Sequence, residues 1–143
     1  MSAFELSEDR SRIDVAQVLA WLQATYWGAS MDRETLERAI ANSLCVGAYQ
    51  NGRQVGFARA VTDRATMAWL SDVMVDETAG GQGIGRAMAS FLLEHPELSG
   101  LRRWGLATRD AHGVYAVLGF VPLEHPHHYM ERLDPAYEAA LSE

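Results

Sequence analysis

The chain holds a single cysteine, Cys45, among 143 residues. It can therefore form no intrachain disulfide and no cysteine-ligated metal cluster. Basic residues are also scarce: 12 Lys+Arg stand against 19 Asp+Glu, a formal net charge of −7. Proteins that bind nucleic acid or anionic membranes draw much of their affinity from Lys and Arg set against phosphate. No basic block exists here, so neither partner is expected, and the acidic balance leans towards cationic small molecules. No run approaches the ~18 apolar residues of a membrane span. The opening residues, MSAFELSEDR, lack the basic and apolar segments of a secretory leader, so a cytoplasmic protein is expected.

What is present fits a globular protein. Hydrophobic residues make up 48% and charged residues 22%, ordinary values for a folded chain. The length fits one domain spanning 1–143, which would bury ~68–70% of the surface of its unfolded chain.

The hydrophobic period then divides the chain into elements. Val15, Val18, Leu19, Leu22 and Tyr26 recur at helical spacing behind Asp14 and stop at Gly28. A second helix fits Asp32 to Asn42, with Asp32 as its cap. Leu44–Gln50 and Arg53–Thr62 flank Asn51-Gly52, the dipeptide favoured in a tight hairpin. A short turn, residues 63–66, leads into Met67–Val75, which is apolar on both faces except at Ser71 and Asp72 and so reads as a central strand. Ile84, Ala87, Met88, Phe91 and Leu92 mark a helix that ends before Pro96. Leu101–Ala107 reads as a strand, Ala111–Leu118 as a short helix, and Phe120–Leu123 and Tyr129–Leu133 as strands before an acidic tail. The order predicts an α/β (α+β) domain.

Gly80, Gly81, Gly83 and Gly85 lie between the apolar strand and an amphipathic helix. Glycine lets a ligand approach the backbone without meeting a Cβ, and a helix start presents free N–H groups to an anion. A pyrophosphate cradle is the expectation. Arg86-Ala87 follows Gly85 where a P-loop needs Lys-Ser/Thr. Met88 stands where a dinucleotide fingerprint needs its third glycine. Neither nucleotide motif fits.

Gly80-Gly81-Gln82-Gly83-Ile84-Gly85 resembles the acyl-CoA pyrophosphate loop of the GNAT N-acetyltransferase superfamily, Arg/Gln-x-x-Gly-x-Gly/Ala. Gly80 stands in the place of the usual Arg or Gln. Residues 108–120, from Thr108 through Ala111 and Tyr115 to Gly119-Phe120, resemble the family's later motif, Asn-x-x-Ala-x-x-Leu-Tyr-x-x-x-Gly-Phe, with Thr108 replacing Asn. Together the motifs and strand order cover roughly residues 44–133.

The resemblance implies a central mixed, mostly antiparallel sheet, splayed to hold acetyl-CoA and flanked by helices. It implies that pantetheine pairs with the backbone of Val73, Met74 and Val75. The pyrophosphate would lie on Gly80, Gly81, Gln82, Gly83, Ile84, Gly85 and Arg86, with Thr108, Ala111 and Tyr115 completing the contacts. The implied activity is acetyl transfer to a small-molecule or peptide amine by direct attack on the thioester, with acetyl-CoA as co-substrate and no metal. A CoA-binding sensor without catalysis is the alternative, and a homodimer is left open.

Such chemistry needs a proton donor for the departing thiolate, and Tyr115 occupies the matching position. It also needs a base, because an alkylamine with a pKa of ~10.4 is mostly protonated at neutral pH. Asp72, a lone carboxylate in an apolar strand, is the candidate; an ion pair with Arg59 is its alternative reading. His112 is a weaker candidate base. Asp110 is expected to cap the helix at Ala111. Tyr26 and Trp27 would wall the acceptor pocket or pack in the core. His125-Pro126-His127-His128 is expected to be a surface loop whose rings point to different sides, not a metal site.

Overall fold

A computed structural model describes residues 3–141. Among the described residues, five strands form one sheet in the order β1 (Glu5–Ser7), β2 (Leu44–Gln50), β3 (Arg53–Thr62), β4 (Met67–Val75) and β5 (Arg103–Gly105). The first four pair antiparallel; β4 and β5 run parallel. The β2–β3 hairpin forms where expected, with Asn51 at φ 51° and Gly52 at φ 77°, as a type I′ turn requires. Asp63 organises the next turn. Its carboxylate accepts the Thr66 hydroxyl and the amides of Ala65, Thr66 and Met67, which hold it well below the usual carboxylate range.

Helices cover both faces. α1 (Val15–Gln23) and α2 (Arg33–Ala41) bury Val18, Leu22, Leu36 and Ile40 against Cys45, Phe57 and Met74. α3 (Ile84–Leu93) buries Ile84, Met88, Ala89 and Leu92 against the other face, around Val46, Ala48, Val55, Ala58 and Leu70. Asp14 and Asp32 cap α1 and α2 as expected, accepting the amides of Gln17 and Thr35.

Several boundaries differ from the sequence reading. α1 stops at Gln23 rather than running to Gly28. The Thr25 hydroxyl donates to the Leu22 carbonyl at 2.6 Å, and Gly28 packs so closely that a Cβ there would lie 2.7 Å from the same oxygen. β4 is an inner strand, yet only alternate residues are buried. The α1–α2 layer covers Met74 and leaves Met67 and Trp69 about 40% exposed. β5 holds only three residues, and the 101–107 strand is otherwise irregular.

The helix expected over 111–118 contracts to α4 (His112–Ala116). Phe120–Leu123 and Tyr129–Leu133 join no ladder among the described residues. Gly119 at φ 98° turns the chain away, Pro122 has no N–H to give, and Val121 and Met130 are 80% and 97% exposed. The acidic tail folds as α5 (Pro135–Leu141), begun by Asp134, whose carboxylate accepts the Tyr137 amide. β1 went unread because three residues carry no period.

Cys45 is 2% exposed and its thiol is pushed up to about 11, chiefly by burial. Only the thiolate is nucleophilic. At pH 8 a disulfide reagent should modify Cys45 at least about 100-fold more slowly in the folded protein than in the urea-unfolded chain. Equal rates would place the thiol at the surface.

Candidate active site

The site begins with one extra residue in β4. Phe57 pairs with Met74 and Arg59 with Ser71, so Ala58 alone faces both Asp72 and Val73. This β-bulge is formed by Asp72 in the left-handed region, φ 54°, which Asp tolerates better than most residues. The bulge inverts the alternation. Ala68 and Leu70 face α3 before it, whereas Val73 and Val75 face α3 after it and Met74 turns to the α1–α2 side.

The carboxylate of Asp72 is held at both oxygens. Arg59 Nε donates to Oδ2 at 2.6 Å and Trp27 Nε1 to Oδ1 at 3.3 Å, with the two charged side chains 14% and 5% exposed. Arg59 Nη1 also donates to the Ser43 hydroxyl. The ion pair anticipated as the alternative role for Asp72 is thus formed. Strain of this kind persists only where the surroundings over-determine it.

The sheet parts just before the bulge. β5 pairs with β4 only at Met67, Ala68 and Trp69. From Leu70 to Val75 the edge of β4 on that side has no strand partner among the described residues. Trp69 lies against Gly105 at the last rung, where a Cβ would meet its ring at 2.7 Å.

The glycine turn meets the free end of β4. Gly81 and Gly83 have φ 79° and 76°, and a Cβ on either would meet nothing within 4 Å. On Gly85 it would lie 3.7 Å from Val75 and 3.9 Å from Val73. The amides of Gly81 through Arg86 donate to no group among the described residues. Six consecutive N–H groups thus stand free at the positive end of α3. Gly80 has ordinary extended backbone, φ −66°. The turn is anchored from outside: Arg53 bonds Asp76 and Thr78, and Gln50 donates to the Gln82 side chain. Arg86 is exposed, with no ion pair among the described residues.

Tyr115, on α4, packs against the same cluster as Val73 and Val75, with Phe120 edge-on at 6.0 Å. Its hydroxyl has no hydrogen-bond partner among the described residues, and burial raises its pKa above the usual phenol value. The Thr108 hydroxyl accepts the Ala111 amide at 3.1 Å. Ala111, not Asp110, occupies the N-cap of α4 and no side chain caps that helix; Asp110 is exposed, and Thr108 fixes the turn leading into it. His112 is exposed in the first turn of α4.

Tyr26 and Trp27 meet edge-on at 5.1 Å in the loop after α1. The Arg109 guanidinium sits 3.5 Å from the Tyr26 ring centroid, a cation–π contact. The structure thus gathers Tyr26, Trp27, Asp72 and Arg109 beside the bulge. Arg109 escaped the sequence reading because nothing local marks an exposed arginine as the partner of a ring 83 positions earlier.

Comparison with known proteins identifies a family and a fold. The acetyltransferase (GNAT) family matches residues 15–120. A Xanthomonas campestris pv. campestris crystal structure, described as belonging to the GNAT family, is 42% identical. It superposes with a TM-score of 0.90, covering 94% of this chain and 96% of that one. A Gibberella zeae protein named as an acetyltransferase is 30% identical over 73% of this chain and 71% of its own. Glucosamine-6-phosphate N-acetyltransferase from Arabidopsis thaliana shares the fold at 15% identity, with a TM-score of 0.67 and coverage of 91% and 97%.

Asp72→Ala would leave Arg59 buried without its counter-charge, a loss of roughly 3–5 kcal/mol. The thermal midpoint should fall by about 10 °C or more. Asp72→Asn keeps an acceptor and tolerates the backbone, so it should recover part of the loss. Unchanged midpoints in both variants would remove the ion pair as the support of the bulge.

Proposed function

The chain belongs to the acetyltransferase (GNAT) family, and from that premise we propose that it transfers the acetyl group of acetyl-CoA to an amine. The observation that carries this reading is the run of free amides from Gly81 to Arg86 beside the unpartnered edge of β4. The amides offer donors to a pyrophosphate, and Arg86 adds a charge at the same end of α3. The strand edge offers backbone partners to the amides of a pantetheine arm. A Cβ-free approach at Gly81 and Gly83 suits a ligand lying directly on the backbone.

Acetyl-CoA supplies an acyl group already activated as a thioester. The chain's part is to orient that group, polarise its carbonyl and protonate what leaves. Backbone N–H groups between Val73 and Val75, aimed by the bulge, are our candidates for the developing oxyanion. Tyr115 is our proton donor to the departing sulfur: its phenol has no competing partner, and its raised pKa keeps it protonated at neutral pH. We assign Asp72 the task of fixing β4 rather than removing the amine's proton, because both its oxygens already accept from fixed donors. The amine attacks in its neutral form and gives its proton to solvent water.

The acceptor comes from outside the chain's own side chains. All 12 of its basic residues are arginine, so it has no lysine to acetylate. Tyr26, Trp27 and Arg109 are our candidate wall for that acceptor.

Tyr115→Phe should lower kcat by ~10²–10⁴-fold, the usual worth of a positioned proton donor, with little change in acetyl-CoA affinity. Because burial raises the phenol's pKa, any alkaline fall in wild-type kcat should lie above the pH at which a free phenol ionises, and the Phe variant should lose that limb. A kcat unchanged in Tyr115→Phe would remove the donor role. Gly83→Ala strains a left-handed position by about 1–2 kcal/mol and puts a methyl into the cradle. It should weaken acetyl-CoA binding by more than tenfold, read by calorimetry; unchanged affinity would move the pyrophosphate elsewhere.

A further inference from the structure

We propose that His125, His127 and His128 form a binding site for one divalent transition-metal ion of the zinc, nickel or copper class. The sequence reading expects these rings to point to different sides of an extended chain. The chain is not extended there. Pro126–His128 forms a 3-10 turn, closed by the His128 amide on the His125 carbonyl at 3.0 Å and the Tyr129 amide on Pro126 at 3.1 Å. Pro126 suits the first position, where its missing N–H costs no bond. In a 3-10 turn, residues three apart eclipse, so His125 and His128 fall on one side. Their rings stack 4.6 Å apart with an interplanar angle of 17°. His127 closes the group, edge-on to His128 at 4.5 Å and to His125 at 5.8 Å. One ring nitrogen from each lies within 4.8 Å of the others.

The donors are also uncommitted. All three residues are exposed, and none of the rings has a hydrogen-bond partner among the described residues. His95, which lies equally close to Glu8 and Glu97, shows the contrast. Its Nε2 is 3.0 Å from the Glu8 carboxylate, its Nδ1 accepts the Glu97 amide, and Glu97 pairs with Arg64. That group is a structural clasp with its atoms in use.

The donor set selects the ion. Three imidazoles with no carboxylate among them suit zinc, nickel or copper and disfavour magnesium or calcium, which take oxygen ligands. A tetrahedral ion with Zn–N bonds of ~2.0–2.1 Å needs nitrogens roughly 3.3 Å apart. The donor nitrogens must therefore close by up to about 1.5 Å, through rotations of exposed side chains that disturb no core packing. Three protein ligands leave a fourth position open to water or a small anion. The site stands apart from the acetyl-transfer reading and depends on none of it.

The test is calorimetric titration of zinc and nickel into the full chain, freed of any purification tag and stripped of metal, with magnesium as control. Wild type should bind one zinc or nickel ion and no magnesium. His127→Ala and His125→Ala should each weaken binding at least about tenfold, since even loss of an outer-shell partner costs ~10–100-fold. Glu8→Gln should leave it unchanged. The metal-free His variants should melt with wild type, because their rings support no packing. Absence of zinc binding, equal binding in His127→Ala, or loss of binding in Glu8→Gln would each overturn the site.

Discussion

The extra residue at Asp72 is the constraint on which the rest of the site depends. A regular β4 would keep Val73 and Val75 on the α1–α2 side and Met74 under α3. The bulge reverses them, so that both valines meet the glycine turn and Tyr115. It also falls just past the last β4–β5 rung, where the strand leaves its neighbour. Left-handed backbone at a non-glycine residue costs of order 1–3 kcal/mol. The Arg59 ion pair and the Trp27 hydrogen bond hold it in place. Through Trp27 the same carboxylate ties the loop after α1, our candidate acceptor wall, to the strand that would carry the thioester.

The two departures from the family motifs acquire physical content in this frame. Gly80 adopts backbone open to any residue, so its lack of a side chain removes a contact without altering the turn. The free amides begin one residue later. Thr108 spends its hydroxyl on the Ala111 amide and organises the start of α4, the helix that carries Tyr115. Both changes leave the backbone cradle intact.

Much of the architecture was legible in local chemistry. Asp14, Asp32 and Asn51-Gly52 carry cap and turn signals that act within four residues, and the elements they begin formed where read, with α1 ending early at Gln23. The glycine turn was legible for the same reason. Val121, Met130 and their neighbours carried apolar periods that never became strands. A period says which side would be buried, but not whether a partner edge exists. Asp134-Pro135 did carry a helix-start signal that the acidic composition of the tail obscured. The bulge was beyond reach, since residues 67–75 read as one continuous strand, apolar on both faces, and only the register against β3 reveals the insertion. Arg109 over Tyr26 and the convergence of three histidines likewise depend on tertiary placement.

The most direct measurement of the central claim is thermal unfolding of the wild-type chain with acetyl-CoA, free CoA, ATP or NAD(H). At 100 times its dissociation constant, a ligand specific to the native state adds about 2.7 kcal/mol of stability. A midpoint raised by several degrees with acetyl-CoA and CoA, and not with ATP or NAD(H), is the predicted result. No shift at millimolar acetyl-CoA would contradict the assignment of the free amides and the parted strand edge to this ligand.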